Sequence, residues 1–253
     1  MRRLFLLLLL CPLTCLASTL TIRVCVADSP FAPLTMPDGS GQVQELMRRA
    51  AHELSLNLDF MLAERPQCLA KVGSAQADAT LTAYLPERAQ YASYPMQDEL
   101  PDESRALAVA RYMVMRRRGS DLNWDGHQFG NLGQQPVGVQ LGCLLGAQLR
   151  QMGLVVEDSS STLAQNLAKL VQNRVAVVIA HEGEGRALIA GPYRGEAEML
   201  PQPFRLTPQY LVFNKRYYAL HKERIDAYWD ALRRQRLSPA YQQYLQHYPN
   251  PVR

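Results

Sequence analysis

The chain reads as an α/β protein built from two successive β-α-β-α-β sets, each expected to give a mostly parallel sheet flanked by helices. Three observations lead there. Strand-like and helix-like periodicities alternate from Thr19 to Thr82 and again from Ala108 to Ala180. Once residues 1–17 are set aside as a leader, the remainder is long enough for one large domain or two small lobes. Finally, the segment Asp78–Arg88, DATLTAYLPER, carries a strand into a loop that holds hydroxyls and a guanidinium. Open α/β sheets offer anion sites at such strand ends, and the planar fork of arginine can hold a carboxylate with two hydrogen bonds.

The first strand, Thr19–Ala27, is rich in β-branched residues: Thr21, Ile22, Val24 and Val26. It ends in Asp28-Ser29-Pro30-Phe31-Ala32-Pro33, where two prolines stop the strand and hold the loop extended. Pro37-Asp38-Gly39-Ser40-Gly41 is a turn cluster. Val43, Leu46, Met47, Ala50, Ala51 and Leu54 then recur at helical spacing and form one apolar face. Leu56, Leu58, Phe60 and Leu62 alternate as in a strand. A short helix, Gln67 to Gly73, leads into the strand that turns through Thr82, Ala83 and Tyr84 and closes on Pro86-Glu87-Arg88.

Pro95 to Ser104 is rich in acids and prolines and is expected to be an exposed connection. Ala108–Met115 begins the second set, and Trp124–Gln135 reads as a polar loop in which Trp124 packs. A strand at Pro136–Leu141, a helix at Leu144–Met152 and a short strand at Leu154–Val156 follow. Ser161 or Thr162 can cap a helix with Leu163, Leu167, Leu170 and Val171 on one face. Val175–Ala180, VAVVIA, is a buried-looking strand. The tail offers a strand at Gln209–Asn214, a helix at Lys222–Arg233 with Ile225, Tyr228, Trp229 and Leu232 inward, and a last helix marked by Tyr241, Tyr244, Leu245 and Tyr248.

The amino terminus has the layout of a secretory signal: Arg2 and Arg3, a leucine-rich run, and small residues for cleavage near Ala17–Ser18. The apolar run is too short for a membrane span. Cys11 and Cys15 follow Leu10 and Thr14, so they lack the small residue that precedes a lipid-modified cysteine. The formal net charge of +4 includes Arg2 and Arg3, and Arg116-Arg117-Arg118 is the longest unbroken basic run. This is no nucleic-acid footprint, which needs a clustered basic face. Cleavage leaves Cys25, Cys68 and Cys143, enough for one bridge and one leftover thiol in an oxidising compartment. Cysteines and histidines lack metal-ligand spacing, so neither a metal nor a cofactor is expected.

In the order and spacing of these segments the mature chain resembles the family 3 extracellular solute-binding proteins of bacteria, the polar amino-acid type. TIRVCVADSPFAP is similar to the family's first strand and its D-x-x-F-x-P loop, and GQVQELMRRAAHEL to its first helix. LPERAQYASYP is similar to its T-P-E-R segment, and YLVFNKRYYALHKERIDAYWDALRRQRLSPAYQQY to its closing strand and helices. The resemblance implies a periplasmic-binding-protein-like fold of two lobes on a two-stranded hinge, closing on a ligand in the cleft. Residues 18–107 and 208–253 would form lobe one and residues 108–207 lobe two. Cys25 and Cys68 then fall in one lobe, which favours their pairing.

The resemblance also assigns a ligand set. Arg88 would bind a carboxylate and Phe31 would lie against the ligand, with Asp28 nearby. Thr82 and Ala83 would offer hydroxyl and backbone contacts, and Tyr84 would line the cleft or pack at the turn. Gly142 and Cys143 would line a loop and helix amino terminus that caps the same anion. Where the family's amino-acid binders carry an aspartate for the α-amine, this chain has His181 followed by Glu182. Read without the resemblance, Arg88 pairs with Glu87 or another acid, Phe31 is core, Asp28 caps or orients its loop, and His181 is a loop histidine or a contact titrating near neutrality.

The implied function is binding of a small carboxylate-bearing solute by a periplasmic monomer for an inner-membrane ABC permease. The alternatives are an orphan or sensory protein that presents its solute to a membrane receptor, and a periplasmic enzyme of the same fold, such as a cyclohexadienyl dehydratase. For the enzyme, His181 and Glu182 offer an acid–base pair. The sequence has no G-x-S-x-G, H-E-x-x-H or G-x-x-x-x-G-K motif, and its histidines do not cluster.

Overall fold

The structure, a computed structural model, describes residues 19–248. The expected leader, its cleavage point, Cys11 and Cys15 lie outside the described residues.

Strands β1 (Thr21–Ala27), β2 (Asn57–Ala63) and β3 (Ala79–Ala83) run parallel, with β1 between the other two. Helices α1 (Gln42–Glu53) and α2 (Arg65–Gly73) make the crossovers. As the spacing predicts, α1 buries Val43, Leu46, Met47, Ala50 and Ala51. The connection after β3 carries β4 (Ala92–Ser93) and a small hairpin of β5 (Met96–Gln97) and β6 (Leu100–Pro101).

β7 (Ala108–Arg117) is followed by a hairpin, β8 (Asn123–Trp124) and β9 (Phe129–Gly130), where the polar composition suggested only a loop. Trp124 holds this hairpin down: it is 3% exposed and lies 4.6 Å from Phe129 and 5.1 Å from Phe204. β10 (Val137–Gln140), α3 (Leu145–Gln151), β11 (Val156–Ser160), α4 (Leu163–Val171) and β12 (Val177–His181) form the second parallel trio with its crossovers. Thr162 caps α4, accepting a hydrogen bond from the Gln165 amide at 3.2 Å. α5 (Glu182–Ala190) starts directly after β12, and its sequence, with two glycines, shows little helical periodicity.

β13 (Ala197–Asn214) is far longer than the Gln209–Asn214 strand legible in sequence. Pro201, Pro203 and Pro208 obscure it, and its register shifts around Pro203, where a missing N–H is tolerated. Helices α6 (Lys215–Leu220), α7 (Lys222–Leu237) and α8 (Pro239–His247) complete the chain. Ile225, Tyr228, Trp229 and Leu232 face inward as expected. The Trp229 indole donates to the Leu211 carbonyl at 2.8 Å, and the Tyr228 hydroxyl to the Met47 carbonyl at 2.9 Å.

The strands join in the order β11-β10-β12-β7-β13-β3-β1-β2. β7 is antiparallel to both β12 and β13, so it is not part of the parallel set in which the sequence pattern placed it. β7 and β13 are instead the two long strands that connect the halves of the sheet. One half packs around Ile22, Leu46, Phe213 and Trp229, the other around Val114, Trp124, Leu145 and Ile179. A Cys25–Cys68 disulfide ties β1 to α2, with the Cα atoms 5.3 Å apart, and Cys143 is a free thiol. Among the described residues no helix is long and apolar enough to cross a membrane.

Candidate functional site

The carboxyl ends of β1 and β3 face those of β10 and β12 across a cleft of about 710 Å³. Ligands of open α/β sheets bind at this edge, and the volume suits a small molecule. Phe31, Thr82, Ala83, Arg88, Gly142, Cys143 and His181 all stand on its wall; Asp28, Tyr84 and Glu182 do not.

Arg88 follows the β3 loop and opens a short 3-10 turn, Arg88–Gln90. Its guanidinium donates to the Thr82 hydroxyl at 2.7 Å and to the Ala83 carbonyl at 3.1 Å. The Tyr94 hydroxyl donates to the same carbonyl at 3.1 Å. Thr82 and Ala83 therefore hold the arginine in place. Among the described residues neither Glu87 nor any other acid forms an ion pair with it, and its remaining N–H groups stay available.

A second guanidinium shares the wall. Arg65 opens α2, with Pro66 in the first turn, two residues earlier than the helix legible in sequence. Its charge lies 4.4 Å from the centre of the Phe31 ring. Arg65 keeps access to solvent through the mouth of the cleft, yet the walls crowd it enough that desolvation lowers its pKa, and the nearby Arg88 charge adds to that. Sequence reasoning did not single out Arg65, because the helix legible there begins at Gln67. The available signal was its place just past the carboxyl end of a parallel strand, the same kind of position that singled out Arg88.

Phe31, His181 and Tyr112 form a row of rings in the cleft, Phe31 meeting His181 edge-on and Tyr112 tilted against it. The Phe31 and His181 rings are 4.5 Å apart, and His181 and Tyr112, cross-strand neighbours on β12 and β7, are 4.1 Å apart. Burial, and secondarily the Arg65 charge, drive the His181 pKa down to about 3. The imidazole is thus neutral near pH 7, and the reading of His181 as a contact titrating near neutrality is corrected. Its Nδ1 is buried without a hydrogen-bond partner.

Glu182 points elsewhere. Its carboxylate pairs with Arg111 at 2.9 Å and with Arg186 at 2.7 Å, so it neither replaces the expected aspartate nor serves His181 as an acid–base partner. Two residues further along α5, a rotation of about 200° on a helix, Glu184 faces the cleft. It is the one carboxylate on the wall among the described residues. Burial raises its pKa, and the Arg65 charge counteracts the rise.

The other residues outside the wall have local roles. Asp28 is exposed, and its amide donates to the Ala63 carbonyl at 2.9 Å. Tyr84 packs edge-on against Tyr94 at 5.1 Å, behind the wall. Gly142 adopts φ +74°, and the Cys143 amide donates to the Gln140 carbonyl at 2.9 Å, closing the turn. That amide is engaged by the turn, so what Cys143 presents to the cleft is its thiol, whose pKa burial raises. Gly183 meets the Ala32 carbonyl across the cleft, leaving no room for a Cβ atom. No group of three or more His, Cys, Asp or Glu side chains placed to hold a metal ion occurs among the described residues.

No protein-family model matches the sequence, and no curated protein matches it significantly. Solved structures do match in shape. A histidine kinase sensor domain with similarity to periplasmic binding proteins superposes with a TM-score of 0.69 at 15% identity, covering 91% of this chain and 96% of its own. An amino acid ABC transporter substrate-binding protein from Streptococcus pneumoniae, bound to L-arginine, gives 0.66 at 16% identity, covering 92% and 96%. The GluR0 ligand-binding core from Nostoc punctiforme, in complex with L-glutamate, gives 0.65 at 14% identity, covering 92% and 100%. The expected resemblance is thus met at the level of architecture: the chain has the two-lobe fold of periplasmic-binding-protein-like domains, with its cleft between the lobes.

Proposed function

We propose that this protein is a periplasmic solute-binding protein that closes on a small carboxylate-bearing solute, amino-acid-like or organic acid. Residues 1–17 direct export, residues 18–107 with 208–253 form lobe one, and residues 108–207 form lobe two. The observation that carries the reading is the Arg88 guanidinium, fixed by Thr82 and Ala83 on the cleft wall with no acidic partner among the described residues. A half-buried, oriented and uncompensated guanidinium is a binding site for an oxyanion. Phe31 supplies an apolar platform beside it.

The solute-loaded monomer delivers its cargo to an inner-membrane ABC permease. The second reading is sensory or orphan binding, favoured by the similarity to a kinase sensor domain. Both need only a closing cleft. Ligand-stimulated ATPase activity with a reconstituted permease supports uptake, and ligand-dependent capture by a membrane receptor supports sensing. An enzymatic role is disfavoured because Glu182 is held by two arginines away from His181; turnover of prephenate or arogenate would revive it.

Thermal-shift screening against amino acids, dicarboxylates and aromatic acids tests the core claim. At least one carboxylate should raise the melting temperature. Arg88→Ala should weaken its binding about 10- to 100-fold, the loss expected for a charge-assisted hydrogen bond. A screen without stabilising compounds, or an Arg88→Ala protein that binds as well as wild type, refutes the reading.

A further inference from the structure

We propose that Arg65 forms a second anion subsite, so that the cleft selects solutes with two separated carboxylates, one on Arg88 and one on Arg65. This rests on the binding function proposed above and specifies its ligand class.

Four observations support it. First, Arg65 stands on the cleft wall without an ion pair or hydrogen bond among the described residues. Elsewhere in the chain arginines find acids: Arg23 pairs with Asp78 at 2.7 Å, Arg105 with Asp230 at 2.7 Å and Arg116 with Glu198 at 2.7 Å. Second, the Phe31 ring satisfies one face of the guanidinium and leaves its N–H edge free to grip a planar carboxylate. Third, Arg65 and Arg88 feel each other's charge, and two like charges in a partly desolvated cleft are unfavourable until an anion neutralises both. Glu184 is a single carboxylate against two guanidinium groups; burial raises its pKa, and the Arg65 charge counteracts the rise. Fourth, Cys68 lies one helical turn beyond Arg65, and its disulfide to Cys25 anchors that end of α2 to β1. The second cation is thereby pre-positioned, which lowers the ordering cost of binding.

The ligand's source is open to two chemistries, an organic diacid or an acidic amino acid. Glu184 would face an amine in the second case.

Isothermal titration of the mature chain with succinate, glutarate and adipate, each against its half-amide, tests the subsite. The half-amide keeps the shape and deletes one charge. At least one diacid should bind about tenfold or more tightly than its half-amide. Arg65→Gln should erase that difference, Arg65→Lys should keep part of it, and Arg88→Gln should weaken diacid and half-amide alike. Circular dichroism melts of each variant confirm folding. Equal binding of diacid and half-amide overturns the second subsite, as does a difference that survives Arg65→Gln. In both cases Arg88-dependent binding leaves the carboxylate reading standing, and Arg88-dependent binding of a monocarboxylate when no dicarboxylate binds overturns the second subsite alone; no binding of any carboxylate in the thermal-shift screen overturns both. A preference for L-glutamate over glutarate that Glu184→Gln abolishes identifies the dicarboxylate as an acidic amino acid. Equal or tighter binding of glutarate identifies an organic diacid, and either result supports the proposal.

Discussion

His181 shows how far a side chain's surroundings can change its chemistry. The isolated imidazole titrates near pH 6.5, whereas between Phe31 and Tyr112, beside Arg65, its pKa falls to about 3. The unfolded chain therefore binds a proton in this window that the native state does not. The sign follows: the native state loses stability as pH falls from about 6.5 towards 3, by at most about 1.4 kcal/mol per pH unit for one proton. Carboxylates titrate there too, so the test is comparative. His181→Phe should show a shallower loss in urea denaturation between pH 6.5 and pH 4; superimposable pH profiles would rule out a buried neutral imidazole. Glu182 and Glu184 make the complementary point. Both are acids at the start of one helix, and helical phase sends one to Arg111 and the other to the cleft.

Among the elements, α2 links stability to binding most directly. It carries Arg65 at its start and Cys68 one turn on, and the disulfide closes a loop with a sequence separation of 43. The chain-entropy model gives such a cross-link about 4 kcal/mol. A Cys25→Ala, Cys68→Ala double variant should lose stability of that order in guanidinium denaturation, and its ligand affinity should fall as Arg65 loses its anchor. Unchanged stability would show that the bridge constrains little. Legibility differed sharply between elements. The amphipathic face of α1 and the β-branched run of β1 could be read from spacing because burial on one side dictates their pattern. α5, with two glycines, and the proline-interrupted front of β13 could not, since sheet packing and a bulged register hold them rather than local propensity.

In the whole molecule, β7 and β13 join the two lobes, and the walls meet where Gly183 approaches the Ala32 carbonyl. Strand pairs of this kind permit hinge closure when their ends absorb the rotation. A side chain at residue 183 would separate the walls. Gly183→Ala is therefore expected to cost about 1–3 kcal/mol of closure, as overpacking does, and to weaken ligand binding correspondingly. Small-angle scattering should show wild type contracting with a saturating ligand and the variant contracting less. Equal contraction and equal affinity would show that this contact does not limit closure.

The amino-acid sequence by itself determined the succession of strands and helices, the disulfide-permitting cysteine set and the Arg88 loop. Each is written in local periodicity, in turn residues or in one short segment. Only the tertiary structure decided that β7 runs antiparallel, that Arg65 joins Arg88, that Glu184 rather than Glu182 faces the cleft, and that His181 is neutral. The physical reason is range. Periodicity records which face of an element is buried, whereas charge pairing and desolvation depend on which distant segments converge.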